Sequence, residues 1–288
     1  MSDLLIRYDE PIAEYHADKT HIGSTDLKLA CHSPATFHDR VELGNSAAES
    51  DSPALAVGRL WHTLRELGDD QFGDRATIVP SQFTTAGGEV SSKAEAKAWV
   101  AEAVAAGKIV LTQAQSDTLG RMREGFEANS AAVDLEESIE QREVSVRWAG
   151  PHDILLKCRP DAICQGGILL DWKSTREKYP LETFCLSVRT FEYGLSAALY
   201  EQGCAVAGLA TPPMHFVVSS TVEPWETQVI VLPSAYMDWC RKRLDMVLED
   251  IARRRRECDW LPVGYGEVVE IRMPGFGDRS VLTGSYTE

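Results

Sequence analysis

The segment 157–175, KCRPDAICQGGILLDWKST, constrains the fold of this chain more than any other stretch. Apolar residues on both sides of Gln165-Gly166-Gly167 predict two short strands joined by a tight turn. We expect Asp161 in the first strand. Asp171 and Lys173 should share one face of the second, because strand side chains alternate with a period of two. The predicted hairpin therefore brings two carboxylates and an ammonium together.

This group of charges has both a chemical and a purely structural explanation. A chance Asp-x-Lys on an edge strand would need no function, but charges seldom interrupt so apolar a run. Carboxylates held close together either share a proton or bind a cation. Mg²⁺ and Mn²⁺ favour a few protein oxygens, with water and phosphate supplying the rest. Lys173 could then orient or deprotonate a water molecule, or neutralise charge on a phosphate. The pattern indicates metal-assisted phosphodiester hydrolysis.

The elements RPD at 159–161 and DWK at 171–173, separated by a glycine turn, resemble the core of the PD-(D/E)XK nuclease superfamily. The form RPD…DWKST is most similar to the RecE-type recombination exonucleases, the exodeoxyribonuclease VIII group. The resemblance implies an α/β fold with a mixed central β-sheet flanked by helices and a helical N-terminal elaboration. It also implies a metal-dependent exonuclease that degrades duplex DNA from its ends, in phage-type or recombination end resection. The alternatives are a structure-specific or restriction-type endonuclease of the same superfamily, or a non-catalytic DNA-binding or interaction protein with a defunct site.

A helix is predicted over residues 52–67, SPALAVGRLWHTLREL, with Ser52 as N-cap and Pro53 in its first position. Gly58 and His62 lie four residues apart and so share a face. A glycine inside a helix costs about 1 kcal/mol against alanine, which suggests close approach of another backbone or a ligand. A lone helix histidine is more often packed or solvated than a ligand. The G-x-x-x-H pattern, however, resembles RecB- and RecE-like nucleases, which implies that His62 binds metal through a neutral ring nitrogen.

The predicted site combines these motifs. Its catalytic residues are Asp161, Asp171, Lys173 and His62. Its ligands for Mg²⁺ or Mn²⁺ are His62, Asp161, Asp171, Trp172 and Glu143. Glu143 is included because acidic residues just upstream of the PD strand recur in related nucleases, while a solvent-facing acid on an edge strand explains it equally well.

The predicted DNA contacts are Arg159, Arg176, Arg189 and Tyr193. Residues 188–203 predict a helix with four inward-facing residues, Phe191, Leu195, Ala198 and Leu199. In RecE- and RecB-like nucleases this helix carries a Tyr-x-x-Gln signature. Tyr193 matches the tyrosine, whereas Ser196 takes the place of the glutamine. Packing of Tyr193 in the core is the alternative to a phosphate contact.

The net negative charge of the chain limits how strongly it could bind DNA by electrostatic attraction. With 29 basic and 44 acidic residues the net charge is −15, which gives little non-specific attraction for phosphates. The acids concentrate away from the RPD and DWK motifs, so a basic groove remains compatible with the composition. The resemblance implies a homo-oligomer, a ring of three or four subunits, that encloses the DNA end. A single-strand annealing protein is a further expected partner.

A length of 288 residues allows one large domain or two small ones, and a hydrophobic content of 44% is enough for a core. The resemblance implies a single nuclease domain. We divide it into a mainly helical part carrying His62 (1–135), a catalytic α/β core (136–260) and a tail (261–288). Neither an apolar run of about 18 residues nor a basic-then-apolar N-terminus occurs, so a cytoplasmic location is expected. Seven scattered cysteines without a C-x-x-C pair predict reduced thiols rather than a zinc or iron–sulfur site.

Overall fold

The fold was analysed in a computed structural model that describes residues 4–45, 53–209, 213–262, 264–266 and 268. The strands are β1 (Leu5–Arg7), β2 (Ala76–Ile78), β3 (Ile109–Leu111), β4 (Ile139–Arg142), β5 (Ser145–Ala149), β6 (Leu155–Cys158), β7 (Ala162–Cys164), β8 (Ile168–Thr175), β9 (Met214–Ser220) and β10 (Thr227–Val231). The helices are α1 (Ile12–Ala17), α2 (Ser24–His32), α3 (Pro34–Phe37), α4 (Pro53–Leu67), α5 (Asp69–Arg75), α6 (Ala94–Ala105), α7 (Gln113–Glu127), α8 (Ser130–Glu137), α9 (Pro180–Thr190), α10 (Tyr193–Val206) and α11 (Ser234–Glu257).

The central sheet has five strands in the order β10-β9-β8-β7-β4. Strands β8 and β9 are parallel and the other neighbours antiparallel, so the sheet is mixed, as predicted. Alternation along β8 sends Leu169 into one core, shared with α2, α9, α10 and α11, and sends Leu170 and Trp172 into a second core, shared with α4 and α7. Helices therefore cover both faces of the sheet.

The hairpin that organises the sequence is bent rather than continuous. The segment upstream of the RPD motif forms two strands rather than one, because Glu143 adopts a left-handed conformation with φ of 54° between β4 and β5. Strand β5 pairs with β6 in a separate sheet with β1, while β4 pairs with β7 in the central sheet. Opposite Glu143, the partner strand is interrupted at Pro160, which has no N–H to donate to the hydrogen-bond ladder of a sheet. Asp161 thus lies in the bend before β7, not within a strand as predicted.

The predicted helix over 188–203 is divided. Helix α9 ends at Thr190, Glu192 takes a left-handed conformation with φ of 51°, and α10 begins at Tyr193. Phe191, in the joint, is 54% exposed, so its predicted inward orientation is wrong. The predicted inward orientation of three other residues is confirmed by their burial, namely Leu195, Ala198 and Leu199.

Helices α2 and α3 follow each other directly. Gly23 is the N-cap of α2, and the Ser33 hydroxyl caps α3 by accepting a hydrogen bond from Thr36 N–H at 3.2 Å. The seven cysteines are unpaired. The N-cap at Ser52 and most of the strand predicted at 266–273 lie outside the described residues. Within the described ranges, no helix is long and apolar enough to cross a membrane.

Candidate active site

The bend between the two sheets brings Glu143 and Asp161 together. The backbone N–H of Glu143 donates a hydrogen bond to the carbonyl of Asp161 at 3.1 Å, so the two interrupted strands are linked where they bend. The left-handed conformation of Glu143 costs roughly 1–2 kcal/mol for a residue with a Cβ, and such strain tends to accumulate at functional sites. The bend therefore gives two acidic side chains, 18 positions apart in the chain, a common location.

Helix α4 supplies the third member of this group. A Cβ atom at Gly58 would lie 2.7 Å from the hydroxyl oxygen of Ser174 on β8, so only glycine permits this approach without a shift. A close approach at Gly58 is observed, but the neighbour is a side chain rather than the backbone or ligand that was predicted. One helical turn later, His62 Nε2 lies 3.1 Å from Asp161 Oδ1 and 3.8 Å from Glu143 Oε1.

These three side chains fit a divalent cation. One ligand atom from each of His62, Glu143 and Asp161 falls within 4.8 Å of the others. Glu143 Oε1 is buried and has no hydrogen-bond partner, which leaves an oxygen lone pair available. Asp161 Oδ2 accepts a hydrogen bond from Trp172 N–H at 2.7 Å, which orients Oδ1 toward His62. Carboxylate oxygens with one imidazole suit a small divalent metal such as Mn²⁺ or Mg²⁺.

The electrostatics of this group are those of closely packed ionisable side chains, each of which shifts the pKa of its neighbours. The negative charge of Asp161 is the main reason that the pKa of His62 is raised to about 9, so without metal the imidazole is protonated. Burial, and then the charge of Asp161, raise the pKa of Glu143 to about 7. Burial also acts to raise the pKa of Asp161, but the adjacent His62 cation outweighs it and the pKa is lowered. The neutral imidazole predicted for metal binding requires that a cation displace this proton.

Asp171 and Lys173 form a second group beside the first. As predicted from alternation they share one face of β8, and Lys173 Nζ contacts the Asp171 carboxylate. Burial and repulsion from Asp161 raise the pKa of Asp171, against the opposing effect of Lys173. For Lys173, burial is outweighed by the two carboxylates and the pKa is raised. Lys173 is therefore a cation at neutral pH, which favours charge neutralisation over the alternative of deprotonating water.

The remaining predicted ligand, Trp172, does not offer its side chain. The indole is 4% exposed and packs in the second core, with its ring edge-on to Phe126 at a centroid distance of 6.4 Å. The backbone carbonyl of Trp172 accepts a hydrogen bond from Lys173 Nζ at 3.4 Å. The backbone N–H of Trp172 contributes instead by holding Asp161.

The prediction that Arg159 contacts DNA is wrong. Its side chain is 7% exposed, and its guanidinium donates to Glu143 Oε2 at 2.6 Å, to the Glu10 carbonyl at 2.7 Å and to Ser145 Oγ at 3.1 Å. Its hydrogen bonds are thus directed into the protein, where they fix Glu143. The alternative of a solvent-facing Glu143 also fails, because only 12% of that side chain is exposed.

The other predicted DNA contacts are divided between surface and core. Arg176, just beyond the end of β8, and Arg189, in the last turn of α9, are both exposed. Tyr193 is half-buried and stacks on Phe184 at a centroid distance of 5.7 Å, so its packing role is observed. The ammonium of Lys173 also lies 5.1 Å from its ring centroid. The structure thus places Tyr193 next to the second group, where it borders the site.

Two further polar side chains, Ser196 on α10 and Lys28 on α2, have surroundings that the sequence did not indicate. The Ser196 hydroxyl, at the place of the family glutamine, is buried and unpaired among the described residues. Lys28 on α2 lies 5.3 Å from the Tyr193 ring centroid. Leu27, the neighbour of Lys28 on α2, and Phe37 on α3 are completely buried. The signal that could have identified Lys28 is a lone lysine beside the apolar positions of a short helix.

Comparison with known proteins shows the family and the fold of the chain. The family model described as a PDDEXK-like domain of unknown function (DUF3799) matches residues 23–266. A crystal structure of a candidate exonuclease from Eubacterium rectale is similar, with a TM-score of 0.60 and 14% sequence identity over 97% of this chain and 100% of that chain. At this identity the similarity shows the fold alone. No curated protein matches the chain by sequence.

Proposed function

Since the chain belongs to the family of PDDEXK-like DUF3799 domains, we propose that it is a metal-dependent DNA exonuclease, which hydrolyses phosphodiester bonds from duplex ends. The observation that carries this proposal is the convergence of His62, Glu143 and Asp161 within 4.8 Å, next to the Asp171–Lys173 pair. The description of the Eubacterium rectale protein favours an exonuclease over an endonuclease.

Each residue then has a defined task. His62, Glu143 and Asp161 hold Mg²⁺ or Mn²⁺, with Asp171 as a further ligand. The bound cation supplies Lewis-acid polarisation of the phosphate and lowers the pKa of its water. The Lys173 ammonium neutralises charge that develops on the phosphate oxygens during attack. Trp172 N–H keeps the Asp161 carboxylate oriented.

Digestion of DNA with and without ends tests this proposal. We expect the protein to degrade linear duplex DNA in Mg²⁺ or Mn²⁺, to leave covalently closed circles intact, and to stop in EDTA. Lys173→Met should bind metal yet lose roughly 100-fold or more of the cleavage rate, the scale observed for electrostatic groups in active sites. Lys178→Met, which removes an exposed lysine nearby, is the matched control.

The outcomes separate the candidate functions. Cleavage of closed circles would replace the exonuclease by an endonuclease of the same superfamily. Binding of DNA without cleavage in either metal would indicate a non-catalytic DNA-binding protein. Cleavage by Lys173→Met at the wild-type rate would contradict the role given to Lys173.

We also propose that the protein acts as a homo-oligomer, a trimer or tetramer, in the cytoplasm, with a single-strand annealing protein as partner. The net charge of −15 supports enclosure of the DNA, because electrostatic attraction alone would hold it weakly. Light scattering measures the mass directly. A monomer that releases its substrate after each cut would contradict this arrangement.

A further inference from the structure

Lys28 and Lys173 approach the same aromatic ring but have different partners. Their ammonium nitrogens lie 5.3 Å and 5.1 Å from the Tyr193 ring centroid. Lys173 is neutralised by Asp171. Lys28, in contrast, makes no hydrogen bond or ion pair with any residue in the described part of the chain. One of the two cations at Tyr193 therefore has no counter-charge in contact.

The electrostatic surroundings of Lys28 compensate its charge only in part. Burial, and then repulsion from Lys173, lower the pKa of Lys28 to about 8. Asp171 and Glu192 act in the opposite direction without offsetting this effect. An ammonium has three N–H donors, and a partly desolvated one is costly unless acceptors meet them.

Packing alone does not account for Lys28. A lysine stem can cover apolar surface, and a cation over a tyrosine ring contributes about 0.5–1 kcal/mol at an exposed site. Neither contact satisfies the N–H donors. The ring of Tyr193 also holds Phe184 and Phe216 in the first core, so it is a fixed platform for both ammoniums. Lys28 is consequently positioned for an anion that arrives from outside the protein.

We propose that Lys28 binds a backbone phosphate of the DNA strand next to the one that is cleaved, and so forms an anion subsite distinct from the Lys173 position. This inference rests on the proposed nuclease function, because the anion must lie beside the phosphate at Asp171 and Lys173. Lys173 neutralises the reacting phosphate, whereas Lys28 holds its neighbour and sets the register of the strand. Lys28 is a substrate-binding residue and has no part in the chemical step.

Steady-state digestion of a short labelled duplex in Mg²⁺ tests the subsite with the full chain. Loss of a charge-assisted hydrogen bond should raise KM roughly tenfold or more in Lys28→Met, with kcat much less affected. Because one phosphate contact is lost, the slope of log affinity against log salt should fall by about one. Lys28→Arg should retain most of the affinity. The matched control is Lys19→Met, which removes the same charge from an exposed position.

The results distinguish the subsite from the activity itself. If the wild type digests DNA and Lys28→Met has the KM and salt slope of Lys19→Met, the proposed phosphate subsite is wrong, while the nuclease proposal stands. If the wild type neither binds nor digests DNA, the nuclease proposal fails and the subsite falls with it. A role of Lys28 in folding alone would lower the melting temperature without a change in the salt slope. Should Lys28→Met not fold, Lys28→Gln provides the same comparison.

Discussion

Replacing Arg159 by methionine should show how the protein keeps an acidic ligand buried. Arg159 and Glu143 form an ion pair with side chains only 7% and 12% exposed. Methionine retains much of the apolar stem but leaves the Glu143 carboxylate without its guanidinium. Loss of one member of a buried pair typically destabilises a protein by about 3–5 kcal/mol when the remaining charge is uncompensated. Uptake of a proton by Glu143, whose pKa is already raised to about 7, should relieve part of this loss.

The pH dependence of this loss follows from Glu143. Its pKa is about 7 in the folded protein, above its value in the unfolded chain of about 4.3, so its contribution to stability is present at low pH and is lost as pH rises through 7. Removal of Arg159 should raise the pKa of Glu143 further. At pH 5.5, Glu143 is then mostly neutral in both the wild type and Arg159→Met. At pH 8 it is mostly ionised in the wild type and less ionised in the variant. We expect a larger loss of unfolding free energy at pH 8.

Urea unfolding in EDTA, followed by tryptophan fluorescence, measures both effects. A double-mutant cycle with Glu143→Gln isolates the charge, because the amide needs no counter-ion. Arg159→Met should cost less in the Glu143→Gln background than in the wild type. A loss below about 1 kcal/mol at pH 8, or an equal loss in both backgrounds, would refute the conclusion that Arg159 compensates Glu143.

Two further substitutions test the metal site and its support. Asp171→Ala should abolish Mn²⁺ binding in calorimetric titration while the far-ultraviolet circular dichroism spectrum is retained, and unchanged binding would remove Asp171 from the ligands. Gly58→Ala should weaken Mn²⁺ binding about tenfold, because a Cβ 2.7 Å from Ser174 Oγ displaces the helix that carries His62. Ser174→Ala should restore binding, since its Cβ lies 4.0 Å away. Failure of that rescue would show that the loss of binding does not come from the contact with Ser174 Oγ.

Local patterns in the sequence predicted the parts of the site that lie on single elements. Asp171 and Lys173 share a face of β8 because alternation is a property of any strand. Gly58 and His62 share a face of α4 because helical neighbours recur every four residues, and the cost of a helical glycine indicated a close approach there. The family resemblance added the expectation that His62 joins the acids, which the distance of 3.1 Å to Asp161 supports.

The features that depend on several elements were not predictable in this way. The bend at Glu143 and Pro160 arises because the two ends of one hairpin pair with different sheets, and no local periodicity specifies that division. The same bend moves Asp161 out of a strand and turns Arg159 from an expected DNA contact into the buried partner of Glu143. Lys28 becomes significant only when α2 packs beside Tyr193 and partly desolvates its ammonium. Sequence alone determined which chemical groups are present and how each element orients them. The tertiary structure decided which of those groups are desolvated together, because charge interactions and metal binding depend on distance and burial rather than on position in the chain.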